Sequence, residues 1–357
     1  MKLGIVGLPG SGKSTVFRAL TGGAENADRK GHEDPRLGVV KVEDPRLDAL
    51  VAYQNPRKVT PVTVHYLDIA GLTGEAKAGR TIGDRVLSHM RPLDALVHCV
   101  RFFESPSLGP SQPIAEFRSV EEEMILTDLA SVEKRLERAE KDYRKGKKDL
   151  AQEIELLTEA RALLDQGSPL RLRPELTESE KLKGFAFLSA KPELVLVNAG
   201  DDKPPAQVRD IVSQLKFQIE GQLRIDVDWL YADTEAEMAR LTPEEAEEFL
   251  AEMELEEGAK QRIIKTSFRL LGLIVFFTVG EPEVRAWPLR EGLTALKAAG
   301  TVHSDMERGF IRAEVVSYAD FEKAGTMHAL HKAGKMRLEG KDYVVKDGDI
   351  VLFRFNV

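Results

Sequence analysis

Gly7-Leu8-Pro9-Gly10-Ser11-Gly12-Lys13-Ser14-Thr15 matches G-x-x-x-x-G-K-[ST], the pattern of a backbone loop that wraps a polyphosphate. The flanks suit that reading. Lys2-Leu3-Gly4-Ile5-Val6 reads as a short buried strand, and Val16, Phe17 and Leu20 give the loop an amphipathic helix to open into. Pro9, Gly10, Ser11 and Gly12 form the cradle, whose N–H groups meet anionic oxygens at the positive end of the helix. Lys13 supplies a point charge for the β/γ-phosphates, Ser14 a hydroxyl for Mg²⁺, and Thr15 a hold on the α/β-phosphates. The stretch predicts an α/β nucleoside-triphosphate domain.

Outward from it, Thr21 to Asp34 is polar and Gly-rich, in the position of a switch I loop. Gly38–Val42 and Val62–Leu67 read as strands, the second running into Asp68-Ile69-Ala70-Gly71. This D-x-x-G is placed as a Walker B and switch II: Asp68 holds the Mg²⁺ shell and Gly71 offers its N–H to the γ-phosphate. Leu72 follows where a Ras-like protein carries its water-orienting Gln, so slow hydrolysis is expected. Ala95–Val100 and Glu193–Val197 add parallel core strands. After the second comes Asn198-Ala199-Gly200-Asp201, an N-K-x-D-like base motif in which Ala199 replaces the Lys. Base choice is therefore open between adenine and guanine. A last strand over Ile225–Ala232 brings Asp233 and Thr234 to the same pocket.

Between Ser119 and Leu164 apolar residues recur three and four apart around Gly146, which predicts an inserted helical hairpin. Its tip carries Arg138, Lys141, Arg144, Lys145, Lys147 and Lys148 among acidic residues, and reads either as a solvated face or as an arm for a phosphate backbone. Glu235 to Glu257 is acidic and helical in pattern. From Leu273 onward strands dominate, at Ile274–Val279, Ile311–Val316, Tyr343–Val345 and Ile350–Phe355. The 357 residues are 42% hydrophobic, which suits two or three domains. A net charge of −8 argues against general nucleic-acid affinity and DNA sequence readout, so an RNA partner must meet a local patch. The lone cysteine, Cys99, reads as an inert core residue in a reducing compartment. Without a candidate bilayer span the expectation is a cytoplasmic protein without a membrane partner.

Taken together these residues resemble the Obg-like ATPases, also called YchF, which are translation-factor-class P-loop proteins. The resemblance spans nearly the whole chain. It rests on Gly7-Leu8-Pro9 with Gly12-Lys13-Ser14-Thr15, on Asp68-Ile69-Ala70-Gly71-Leu72, on Leu93–His98, and on Phe277–Gly280, Glu283–Trp287 and Arg308–Val315. It implies a Ras-like, Obg-related nucleotide domain over 1–118 and 190–272, a coiled-coil insert over 119–189, and a β-grasp, ubiquitin-like TGS domain over 273–357. It further implies Mg²⁺-dependent ATP hydrolysis with ATP favoured over GTP, association with the large ribosomal subunit or RNA, and a hydrophobic residue at Leu72 as normal. The chain departs from the family pattern at Gly10 and Ser11, where Asn and Val are usual, and at His32, where a Mg-coordinating Thr stands. It departs again at Asp201 in place of Glu and at Tyr231-Ala232-Asp233 in place of an S-A-K-like segment. Two alternatives accompany the ATPase reading: a GTPase, supported by Asp201, and a nucleotide-binding but hydrolysis-poor RNA- or protein-binding paralogue, supported by His32 and Leu72.

Overall fold

The computed structural model describes residues 1–22, 35–69, 83–238 and 258–356, with a few positions between 241 and 250. It divides into two compact units, one of Met1–Val40 with His65–Thr266, the other of Lys41–Val64 with Ser267–Val357.

The first unit is built on strands β1 (Lys2–Val6), β2 (Arg36–Lys41), β4 (Thr63–Asp68), β5 (Ala95–Phe102), β6 (Glu193–Ala199) and β7 (Ile225–Tyr231), in the order β2-β4-β1-β5-β6-β7. The pairs from β4 to β7 are parallel. Their near-continuous apolar runs follow from burial on both faces; every residue of β6 is buried. Register matters more to function than composition. Ile5 pairs with Asp68, Val6 with His98, Phe102 with Ala199, and Ala199 with Tyr231, so the carboxyl ends of the strands form one edge. Helix α1 (Lys13–Thr21) leaves that edge and buries Val16, Phe17, Ala19 and Leu20.

The expected hairpin is present and starts earlier than its periodicity suggests. One helix covers Pro113–Arg144, with proline in its first turn, and its partner covers Ala151–Asp165. At 32 residues the first is about 48 Å long. Val132, Leu136, Leu157, Ala160 and Leu164 form the seam. At the base of the hairpin the contacts turn ionic. Asp128 accepts the N–H groups of Leu188 and Ser189 at 3.0 and 2.8 Å, and the Ser189 hydroxyl at 2.8 Å. Buried Arg171 lies 3.0 Å from Glu121 and 2.8 Å from Glu193, and Glu193 lies 2.7 Å from Nδ1 of His98 on β5. Burial beside Glu193 pushes Glu121 up to about 8, while against the same burial the Arg171 charge holds Glu193 low.

In the second unit β8 (Leu273–Val279) and β9 (Val284–Arg290) make a hairpin, and the sheet runs β11-β10-β12-β8-β9-β3. Here β3 is Val59–Thr60, β10 is Phe310–Ser317, β11 is Arg337–Glu339 and β12 is Asp349–Phe355. β12 pairs parallel with β8 and antiparallel with β10, with the helix Ala295–Val302 packed on the core, a β-grasp arrangement.

Two expectations need revision. Residues 41–64 do not continue the nucleotide domain, because the helix Pro45–Gln54 and β3 are built into the second unit. Arg46 pairs with Asp347 at 2.6 Å, Tyr53 packs edge-on to Phe321, and the Thr60 hydroxyl donates to Glu283. Tyr343–Val345 is not a strand. Turn bonds hold it, and only Val344 makes an isolated bridge, to Thr294. Most of the acidic stretch after Met238 lies outside the described residues. Among the described residues no helix is long and apolar enough to cross a membrane.

Because Glu121 is raised in the folded chain, its contribution to stability is present below its ordinary value of 4.5 and is lost as pH rises towards about 8. Urea unfolding should show stability falling across that window by at most about 1.4 kcal/mol per pH unit for this group. Glu121→Gln should flatten the slope; an unaltered slope would refute the assignment.

Candidate functional site

The loop between β1 and α1 stands at the carboxyl edge of the sheet, where an α/β fold gathers its ligand groups. Gly12 caps α1 with φ +86°, and a Cβ on it would lie 2.1 Å from Nδ2 of Asn198. Only glycine fits both the backbone and the space. From beneath, the Ser11 carbonyl accepts the Cys99 thiol at 3.0 Å and the Asn198 amide at 3.1 Å, which ties the loop to β5 and β6. Burial pushes the Cys99 thiol up to about 12, so it serves as a neutral donor and not as a nucleophile.

Lys13 reaches across the loop, with Nζ donating to Gly7 O at 3.0 Å and Leu8 O at 2.7 Å. Burial lowers its pKa, against the raising influence of Asp68. Ser14 donates its hydroxyl to Oδ2 of Asp68 at 2.9 Å, which brings together the two residues predicted to face Mg²⁺. A hydroxyl beside a buried carboxylate is a hard-oxygen donor set that fits this ion. Thr15 accepts a long bond from Arg18 at 3.4 Å, and Pro9 and Gly10 are exposed at the outer limb of the loop.

At the base motif the structure gathers some predicted residues and leaves others apart. Asp201 accepts the Thr234 hydroxyl at 2.6 Å, so the segments after β6 and β7 do meet. Ala199 is buried at the end of β6 and Ala232 at the start of the helix Ala232–Met238, while Asp233 points to solvent. Asn198 faces the phosphate loop. Gly71, Leu72 and His32 lie outside the described residues.

Composition and motif offered no hint of Arg101. This buried side chain donates to the carbonyls of Phe103, Gly109 and Pro110 and pairs with Glu116, fixing the turn after β5. Its one signal is a cation inside the apolar run Val100-Arg101-Phe102.

Two family profiles match the chain: one described as 50S ribosome-binding GTPase over residues 2–131, and a YchF-GTPase C-terminal profile, described as a protein of unknown function, over 273–356. The Ribosome-binding ATPase YchF of Bacillus subtilis is 40% identical, with 99% of each chain covered. The chain belongs to the YchF family of Obg-like ATPases. Human Obg-like ATPase 1 is 35% identical over all of this chain and 92% of its own length. The solved structure of the Schizosaccharomyces pombe YchF GTPase superposes with a TM-score of 0.82 at 30% identity, covering 99% of this chain and 97% of that one. The YchF frame, a P-loop GTPase fold, therefore holds over the full length.

One atom in the loop is out of place. Ser11 Oγ is buried without a hydrogen-bond partner among the described residues, and the resemblance puts Val at this position. Removing an orphaned buried hydroxyl should relieve its desolvation cost, so Ser11→Ala is expected to stabilise the nucleotide-free protein by about 1 kcal/mol in urea unfolding. A destabilised variant would mean that the hydroxyl has a partner.

Proposed function

We propose that the chain is a slow, Mg²⁺-dependent P-loop ATPase that acts as a ribosome-associated switch. The observation that carries this reading is the 2.9 Å approach of Ser14 to Asp68 beside an ammonium laid across the phosphate loop. In such a site positioning and electrostatics do most of the catalysis. Lys13 would stabilise charge developing on the β/γ-phosphates and Ser14 and Asp68 would hold the metal, while Gly71, outside the described residues, is the residue assigned by the D-x-x-G motif to offer its N–H to the γ-phosphate. Mg²⁺ held by Ser14 and Asp68 would supply positive charge to offset the charge developing on the phosphates. Loop residues Pro9, Gly10, Ser11, Gly12 and Thr15 complete the cradle, with Asn198 holding it from beneath; Asp201, joined to Thr234, marks the base pocket beside Ala199 and Ala232, and Asp233, which points to solvent, stands no closer than its rim.

ATP is the favoured substrate on two grounds. The relatives from Bacillus subtilis and human are named ATPases. In addition, Oδ1 of Asp201 already accepts the Thr234 hydroxyl, an internal bond that competes with guanine for the carboxylate. The ribosome reading comes from the relatives' names, and the hairpin with the C-terminal unit, read as a TGS domain, is the contact surface proposed for the large subunit. The tip of the hairpin is partly self-neutralised. Lys141 pairs with Glu137, Arg144 with Glu140, and Lys147 with Asp142, so the net attraction to phosphate is smaller than the number of cations suggests.

Calorimetry with Mg-ATP and Mg-GTP tests the base assignment: ATP should bind at least about tenfold tighter, a difference of about 1.4 kcal/mol. Tighter GTP binding would make the chain a GTPase. Turnover with and without ribosomes should exceed that of Lys13→Ala in at least one condition, and rates equal to that variant in both would leave a nucleotide-binding paralogue. Reversing Arg138, Lys141, Arg144 and Lys145 to Glu should weaken ribosome binding and reduce its salt dependence. Unchanged binding at low salt would return the tip to a solvated charged face.

A further inference from the structure

The turn after β5 makes a contact that neither the fold nor the phosphate motif demands. Gly10 has φ +78°, and a Cβ built on it would lie 2.2 Å from Cδ1 of Leu108 and 3.5 Å from its Cγ. The isobutyl group of Leu108 therefore rests directly on the outer limb of the phosphate loop. Leu108 is 46% exposed, so core packing does not account for its placement.

The turn that carries it is held from inside. Ser105 and Gly109 form a bridge, with the N–H groups of Leu108 and Gly109 both donating to Ser105 O at 3.2 and 2.9 Å. Arg101 directs its guanidinium at the carbonyls of Gly109 and Pro110, at 2.8 and 3.1 Å, and is itself fixed by Glu116 at 3.2 Å. A buried cation that donates to the carbonyls of a surface turn sets that turn's position at the cost of desolvating a charge. The result is an apolar side chain seated where Gly10 leaves room for it. A side chain at position 10 and Leu108 in its seat exclude one another.

We propose that Leu108 is a positioning residue for the nucleotide, an apolar cap that closes the outer side of the phosphate loop over Gly10 and slows nucleotide release. The proposal rests on the reading of this loop as a triphosphate site. Its physical basis is that an apolar group beside the loop keeps water from the N–H donors and strengthens their interaction with an anion.

The test is the release rate of a fluorescent N-methylanthraniloyl ATP, chased with unlabelled Mg-ATP, from the full-length protein. Leu108→Ala removes the cap from a surface position where the fold does not depend on it. Gly10→Asn evicts it independently, since Asn tolerates the left-handed backbone and what it adds at Cα is the obstructing Cβ. Each should speed release about tenfold, the double variant should be no faster than the faster single, and Leu108→Met should stay within about twofold of wild type. Release from Leu108→Ala within about twofold of wild type, or single effects that multiply in the double variant, would overturn the cap while leaving the nucleotide site standing. Failure of the wild-type chain to bind the analogue, with an intact thermal unfolding transition, would overturn the triphosphate reading and the cap with it.

Discussion

The carbonyl of Ser11 is the point on which the nucleotide site hangs. It accepts from a thiol on β5 and an amide at the end of β6, so two neighbouring strands of one parallel sheet grip the loop from below. Both donors sit at strand positions set by register. Cys99 pairs with Leu196, and Asn198 lies two residues farther along β6, so a slip by one residue would turn both side chains to the other face. The loop's shape is thus a property of the whole sheet. This also explains why Gly12 cannot carry a side chain: the amide that holds Ser11 occupies the space a Cβ would need.

A second constraint ties the hairpin to the sheet. Arg171, Glu121, Glu193 and His98 form a buried polar chain around the Arg171–Glu193 ion pair, and a buried charge pair contributes little net stability against a well-packed apolar replacement. Its contribution is geometric. Two carboxyl groups about one guanidinium fix where the long helix leaves the domain, and Asp128, which takes two backbone N–H groups and a hydroxyl from Leu188 and Ser189, fixes the segment that leads back to β6. Over a helix of 32 residues a small angular error at the base becomes a large displacement at the tip, which is the mechanical reason for anchoring with directional groups instead of apolar packing alone.

Much of this was legible in the residues. The phosphate loop, Asp68 and the strands could be read because each depends on local pattern: glycine spacing, an acid closing an apolar run, continuous burial in a parallel sheet. The helical hairpin was legible for the same reason, although its start at Pro113 was not, since polar Gln112 and Ser111 break no periodicity. What escaped was long-range. Residues 41–64 look like an ordinary continuation of the nucleotide domain, and it is long-range contacts that assign them to the other unit: Arg46 with Asp347, Tyr53 with Phe321, Thr60 with Glu283, and β3 alongside β9. Tyr343–Val345 has strand composition, but its carbonyl and N–H groups are taken by Ala295 and Leu293, so no ladder forms. Leu108 was invisible, and Arg101 showed only as a cation inside an apolar run, because their contacts are with backbone that is distant or irregular.

Nucleotide binding at such a loop exchanges partners more than it creates new ones. The Lys13 ammonium already has two carbonyls, and the Ser14 hydroxyl already has a carboxylate. On the proposed reading a polyphosphate would draw the ammonium from Gly7 and Leu8, and a cation would share Asp68 with Ser14, so the net gain would be the difference between good bonds and better ones. Burial, which lowers the Lys13 pKa, adds to that difference: a cation penalised by desolvation gains more from an arriving anion than one in water does. Lys13 is thus hydrogen-bonded to two carbonyls and at the same time desolvated, the setting in which an incoming anion would gain most from its charge.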